Sequence, residues 1–187
     1  MQAHDTPVIK PAPDGVVLDA SGARRRLHEL MAGKVVVLSF VYTQCTDARG
    51  CPLATAVLYR IHQASASDPA LAANMKLITL SFDPAHDTPA VMARYAQPRD
   101  PASARASAWD RLTTDSERTL APILAGYGQI VTRPAAGAAG GLSHRLRVYL
   151  VDRHQQIRNI YGLDFLDPRL LLADVQTLLL EDRQAQR

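Results

Sequence analysis

Val35-Val36-Val37-Leu38-Ser39-Phe40-Val41-Tyr42-Thr43-Gln44-Cys45-Thr46-Asp47-Ala48-Arg49-Gly50-Cys51-Pro52 is the stretch on which the fold of this chain turns. Its first eight residues are short, β-branched and aromatic, bounded by Gly33-Lys34 and by polar Thr43-Gln44, which is the pattern of a buried strand. Beyond it, Leu53, Val57, Leu58 and Ile61 recur at helical spacing. Pro52 suits a first helical position, because its missing N–H costs nothing there and its fixed φ is already helical. Cys45 therefore leaves a strand and Cys51 enters a helix, where unpaired amides and the positive end of the helix dipole favour a thiolate over a thiol. These are the only two cysteines of the 187 residues. So close together, they point to thiol or soft-metal chemistry and away from the stapling of a small core.

The chain is long enough for one well-buried core, and 47% hydrophobic with 21% charged residues is ordinary for a globular domain. One domain over residues 14–187 is expected, with residues 1–13, polar and proline-rich, as a flexible tether. The net charge of +3 does not suggest a nucleic-acid partner, because the basic residues are scattered. Their one run, Arg24-Arg25-Arg26, reads as the solvated side of a hairpin. No stretch approaches the roughly 18 apolar residues of a membrane span, and the first residues do not form a signal peptide. An exported form would have lost its leader, leaving residues 1–13 as the tether that follows a cleaved signal or a membrane anchor.

Around the opening stretch the remaining elements fall into order. Val16-Val17-Leu18, a turn at Asp19-Ala20-Ser21-Gly22 and a basic second arm predict a small hairpin. Ser65-Ala66-Ser67-Asp68-Pro69 ends the helix that begins at Cys51-Pro52. Lys76 to Phe82 reads as a second core strand, and strand-helix-strand order argues for parallel pairing through a right-handed crossover. Asp87-Thr88-Pro89 supplies a cap-like residue and a helix start, with Val91, Met92 and Tyr95 on the apolar face. Gln97 to Ala108 is polar and crosses the surface. Trp109 to Leu112 is a short strand, and Asp115-Ser116 opens a helix running to Tyr127. Pro134 to Gly141 is a flexible loop by composition. Leu146 to Val151 pairs with Gln156 to Tyr161, and a leucine-rich helix from Asp167-Pro168 to about Asp182 closes the chain. The expected fold class is α/β, a mixed sheet flanked by helices with an N-terminal β-hairpin: the thioredoxin type of architecture.

A pair of thiolates is a soft donor set that selects copper(I), zinc or a disulfide. Two sulfurs do not complete a tetrahedral zinc site, and there is no second cysteine pair. One imidazole added to them makes a three-coordinate site suited to copper(I). Of the six histidines, His4 lies in the tail, His28 at a hairpin edge, His62 inside a helix, His86 beside Pro84 and His154 in a tight turn. His144 stands between the glycine-rich loop and a core strand, where it could reach over another loop at the same sheet edge. An exposed loop histidine is the bland alternative.

Several segments, in order, resemble the Sco/SenC family, thioredoxin-fold copper-binding proteins associated with assembly of the CuA centre of cytochrome c oxidase. Gly33 to Thr43 resembles the family's strand into its cysteine loop, and Cys51-Pro52 its second cysteine and following proline. Leu80-Ser81-Phe82-Asp83-Pro84-Ala85-His86-Asp87-Thr88-Pro89 is similar to its S-x-D-P-x-x-D-T-P segment. Trp109 to Gly128 is similar to its tryptophan strand and helix. Ser143-His144 ahead of Val148 to Asp152 lies where the family carries its metal-binding histidine. The resemblance implies copper, Cu(I) or Cu(II), held by Cys45, Cys51 and His144, with Asp83 a near-site residue that orients the loop or meets a partner.

It further implies, as partner, the CuA-bearing oxidase subunit or another copper or thiol protein. The implied location is the periplasm or a membrane anchor facing it. The spacing departs from the family: five residues, Thr46 to Gly50, separate the cysteines where three are usual. Gly50 gives that loop conformational freedom, and Asp47 and Arg49 add charges that either tune the site or simply sit at a solvated tip. The alternative function is a thiol–disulfide oxidoreductase of thioredoxin type, with Cys51 attacking a partner disulfide and Cys45 resolving it. The absent C-x-x-C spacing weighs against it. A third class is an interaction module whose cysteines form an inert disulfide.

Overall fold

The computed structural model describes residues 6–97, 101–133 and 141–185. In chain order the strands are β1 (Lys10–Pro11), β2 (Val16–Leu18), β3 (Arg24–Arg26), β4 (Val35–Val41), β5 (Met75–Ser81), β6 (Ala108–Leu112), β7 (Val131–Thr132), β8 (Ser143–His144), β9 (Val148–Val151) and β10 (Gln156–Tyr161). The helices are α1 (Leu27–Met31), α2 (Cys51–Ser65), α3 (Pro69–Asn74), α4 (Pro89–Arg94), α5 (Glu117–Tyr127) and α6 (Pro168–Ala185).

All seven residues of β4 are buried, as a strand covered on both faces requires. It sits inside a six-stranded sheet of order β1-β10-β9-β4-β5-β6. β4 pairs parallel with β5, and β5 with β6, whereas β9 runs antiparallel to β4 and β10 antiparallel to β9. The parallel half is the βαβ unit expected from the strand-helix-strand order. Alternate side chains of β4 point to opposite layers. Val36, Leu38 and Phe40 join Val17, Leu27, Leu120, Ile123 and Tyr127 on one face. Val35 and Val37 join Leu58, Ile61, Leu171, Val175 and Leu178 on the other, under α2 and α6.

The hairpin β2–β3 forms as expected, and the three arginines of β3 all face solvent. Several features were not expected. Within the supposed tether, residues 1–5 lie outside the described residues, but Lys10–Pro11 adds an edge strand to β10 and Ala12 is buried. The breaker at Ser65–Pro69 also starts a helix: Asp68 caps α3 by accepting from the amides of Ala70 and Leu71. Thr88 caps α4, but Val91, expected on the apolar face of that helix, is exposed. His28 belongs to α1, a helix that the hairpin's basic arm concealed. The flexible loop expected over Pro134–Gly141 falls, but for Gly141, outside the described residues. On either side of it β7 and β8 pair antiparallel, Val131 opposite His144. Among the described residues no helix is long and apolar enough to cross a membrane.

Candidate metal centre

Cys45 lies in the loop after β4, and Cys51 is the first residue of α2, followed by Pro52 in its first turn. The five intervening residues fold back on Asp47. Its carboxylate accepts from the Arg49 amide at 3.0 Å, and its carbonyl accepts from the Gly50 amide at 2.9 Å. This Asx-type turn absorbs the extra length and returns the chain to the helix start. Gly50 has a φ of −99° and a ψ of −124°, outside the helical and extended regions. It also leaves space: a Cβ would lie 3.3 Å from both Cys45 Sγ and the Asp47 carbonyl.

His144 arrives from the opposite side on β8, and its Nε2 lies 3.4 Å from Cys51 Sγ. The ring is wedged between Phe82 (centroids 4.9 Å apart) and Tyr42 (5.8 Å, edge to face). The Tyr42 hydroxyl donates to the Leu142 carbonyl at 3.3 Å, anchoring the strand that carries the histidine. Gly141 permits this approach, because a Cβ there would meet that hydroxyl at 2.8 Å. One ligand atom from each of Cys45, Cys51 and His144 lies within 4.8 Å of the others. Both cysteines are free thiols. Two sulfurs and one imidazole are a soft set able to hold a metal of the copper(I) kind.

The electrostatics differ from what the helix start alone predicts. Cys51 is 1% exposed. Burial pushes its thiol well above the ordinary range, with the neighbouring Cys45 adding to the effect, so desolvation outweighs the helix dipole. Burial likewise pushes Tyr42 up to about 12, with Cys45 the next cause. It also lowers His144, keeping the imidazole neutral and its lone pair available. Cys45 remains partly exposed, at the boundary of two clefts. One, of about 920 Å³, is lined by Asp47, Arg49, His144 and Arg145 among others. The second, about 580 Å³, runs over Pro52, Thr55, Tyr59 and Tyr95.

Asp83 is nearly buried and meets His86 Nδ1 at 2.9 Å and Arg133 at 3.6 Å. Arg133 in turn donates to the Phe82 carbonyl, so Asp83 braces the segment behind His144. The residue that sequence reasoning missed is Asp87. Fully buried, it accepts from the Thr43 amide and hydroxyl and from the Ser81 hydroxyl. It thereby ties the start of the cysteine loop to the end of β5. In the sequence it is only part of the Asp87-Thr88-Pro89 helix start, whose cap is Thr88.

Fold and site together define a thioredoxin-like protein with a Cys₂His cluster beyond the end of its central strand. Residues 16–180 match the SCO1/SenC family, and the chain belongs to it. Among solved structures it is similar to a copper-bound ScoI of Bradyrhizobium japonicum, at 23% identity and a TM-score of 0.70 over 89% of this chain and 98% of that one. It is similar to a SCO1/SenC family lipoprotein of Bacillus anthracis, at 21% identity and a TM-score of 0.73 over 91% and 95%. A third is BsSco, described as a member of the Sco family of cytochrome c oxidase assembly proteins with a disulfide switch, at 21% identity and a TM-score of 0.70 over 95% and 98%. No curated protein matches the chain.

Proposed function

We propose that the protein binds one copper ion, Cu(I) or Cu(II), through Cys45, Cys51 and His144, and passes it to the CuA-bearing subunit of a respiratory cytochrome oxidase. The observation that carries this is the convergence of the three donors within 4.8 Å despite the lengthened loop. Family membership and the copper bound in the Bradyrhizobium relative support it. The lipoprotein among the relatives supports a membrane-tethered position facing the periplasm.

Copper is cargo here, and the site must release it as well as hold it. Binding displaces the proton that burial keeps on Cys51, so uptake delivers protons to the buffer. Transfer proceeds by ligand exchange: an incoming thiolate replaces Cys45, the more accessible sulfur, before Cys51. Copper titration of the fully reduced protein beside Cys45→Ser, Cys51→Ser and His144→Ala tests the ligand set. One copper per chain and a large loss of affinity in all three variants is the expected result. Retention in any one removes that residue from the site.

The nearness of two free thiols also favours a second activity, reduction of a partner disulfide. The buried and protonated Cys51 is a poor attacking group, so the roles expected from the helix start exchange: Cys45 attacks and Cys51 resolves. Trapping a mixed disulfide on Cys45 in Cys51→Ser, and none on Cys51 in Cys45→Ser, would support that order.

A further inference from the structure

The larger cleft beside the cysteines carries a charge pattern that holding a metal does not require. Arg49, Arg145 and Arg147 line it, and among the described residues none of the three is in an ion pair. Arg49 and Arg145 are exposed, whereas Arg147 is half-buried and donates to the Gly128 carbonyl. Among the described residues, exposed arginines without a carboxylate occur elsewhere too, as at Arg25, Arg60 and Arg118, but here three arginines line one cleft beside the metal ligands.

The two most exposed large apolar side chains among the described residues flank this cleft without lining it. Ile130 is 72% exposed in a neighbouring recess that shares Ser143, His144 and Arg145 with the cleft, and Phe165 is 70% exposed and follows Asp164, which lines it. An aromatic and an aliphatic anchor beside unpaired arginines is the composition of a protein-binding surface.

We propose that this cleft docks an acidic face of the protein that exchanges metal with Cys45, Cys51 and His144, the arginines meeting its carboxylates and Ile130 and Phe165 its apolar rim. The inference rests on the metal-transfer reading of the same site. An anionic membrane shares part of the chemistry, but the surface is concave, with a volume of about 920 Å³, and interrupted by Asp47 and Asp164, which suits an inserted polypeptide better than a bilayer. Charge complementarity of this kind steers encounter and fixes orientation, placing partner ligands over the half-exposed Cys45.

The test uses the full chain without metal, so that docking is read apart from copper binding. Its probes are a thiol-free peptide with two serines between glutamate blocks, its lysine-block counterpart, and phosphatidylglycerol vesicles, each followed by fluorescence anisotropy or sedimentation. The glutamate peptide should bind on the order of tenfold more tightly than the lysine peptide. That preference should vanish in the Arg49→Glu/Arg145→Glu double variant and in roughly 1 M salt, where the screening length falls to about 3 Å. Phe165→Ser should weaken binding of the glutamate peptide while keeping the preference. Equal binding of the two peptides overturns the proposal, and so does binding to vesicles in place of the peptide. Failure here would leave the copper titration standing, and loss of copper binding would leave the peptide preference intact.

Discussion

Gly50 leaves little room for a methyl group, because the Cys45 sulfur and the Asp47 carbonyl both lie 3.3 Å from where it would go. Gly50→Ala should therefore displace the sulfur by a few tenths of an ångström and lower copper(I) affinity about tenfold, or about 1.4 kcal/mol. Thermal stability should hardly change. Gly141→Ala meets the Tyr42 hydroxyl at 2.8 Å and should cost more, since the buried ring cannot swing away and the strand carrying His144 must move instead. Competition titration against a copper(I) chelator measures both, and wild-type affinity in Gly141→Ala would show that the approach to Tyr42 does not position the histidine. The sequence pointed to Gly50 for its conformational freedom. Its backbone, at φ −99° and ψ −124°, does lie outside the helical and extended regions, and the site also uses its missing side chain, a fact that depends on how the loop folds back and is invisible in spacing.

Among the elements, those with a clear pattern or a proline at their start were legible: β4 from an apolar run broken only by Ser39, α2 from Pro52 and the apolar spacing after it, α6 from its leucines. Strands of two residues, β7 and β8, carry no period, so the element that delivers His144 could not be read. Nor could Asp87, whose partners Thr43 and Ser81 come together only when β4 and β5 pair. Asp87→Ala leaves a backbone amide and two hydroxyls without their acceptor at a fully buried position and should cost about 2–4 kcal/mol. Urea denaturation would show it, and a loss well under 1 kcal/mol would mean that water replaces the carboxylate. In α2, His62 is buried with its ring tilted against Trp109, 5.5 Å between centroids. Burial, and then the charge of Arg111, lower its pKa below the ordinary 6.5. The native state thus binds less proton than the unfolded chain below that pH, so stability is present above about 6.5 and is lost as pH falls. His62→Leu should flatten the decline between about pH 7 and 5, and parallel pH profiles for the two proteins would exclude His62 as its source.

Across the whole molecule, the sheet divides two cores, and the site lies beyond the ends of its strands on loops the cores hold in place. Phe40 centres an aromatic group with Tyr127 and Tyr149, at 5.4 and 5.8 Å. Phe40→Ala should cost about 3–5 kcal/mol, measured by chemical denaturation, through the cavity it leaves. A cost below 1 kcal/mol would mean that the layer collapses to fill it. The sequence conveyed the sheet and its layers because the central strands are near-continuous apolar runs and the covering helices repeat apolar residues at helical spacing. It conveyed the donors by type and not by approach. Cys45 and Cys51 are joined to the deepest part of the structure by one strand and one long helix, whereas His144 rides on a ladder two residues long. Such a ladder opens far more often than the global unfolding that would free β4. A metal bridging it to α2 adds its own binding energy to that weakest ladder. Amide hydrogens of Val131 and His144 should therefore exchange with solvent quickly in the empty protein and orders of magnitude more slowly in the loaded one. The frequency of that opening would then set how long an ion stays bound.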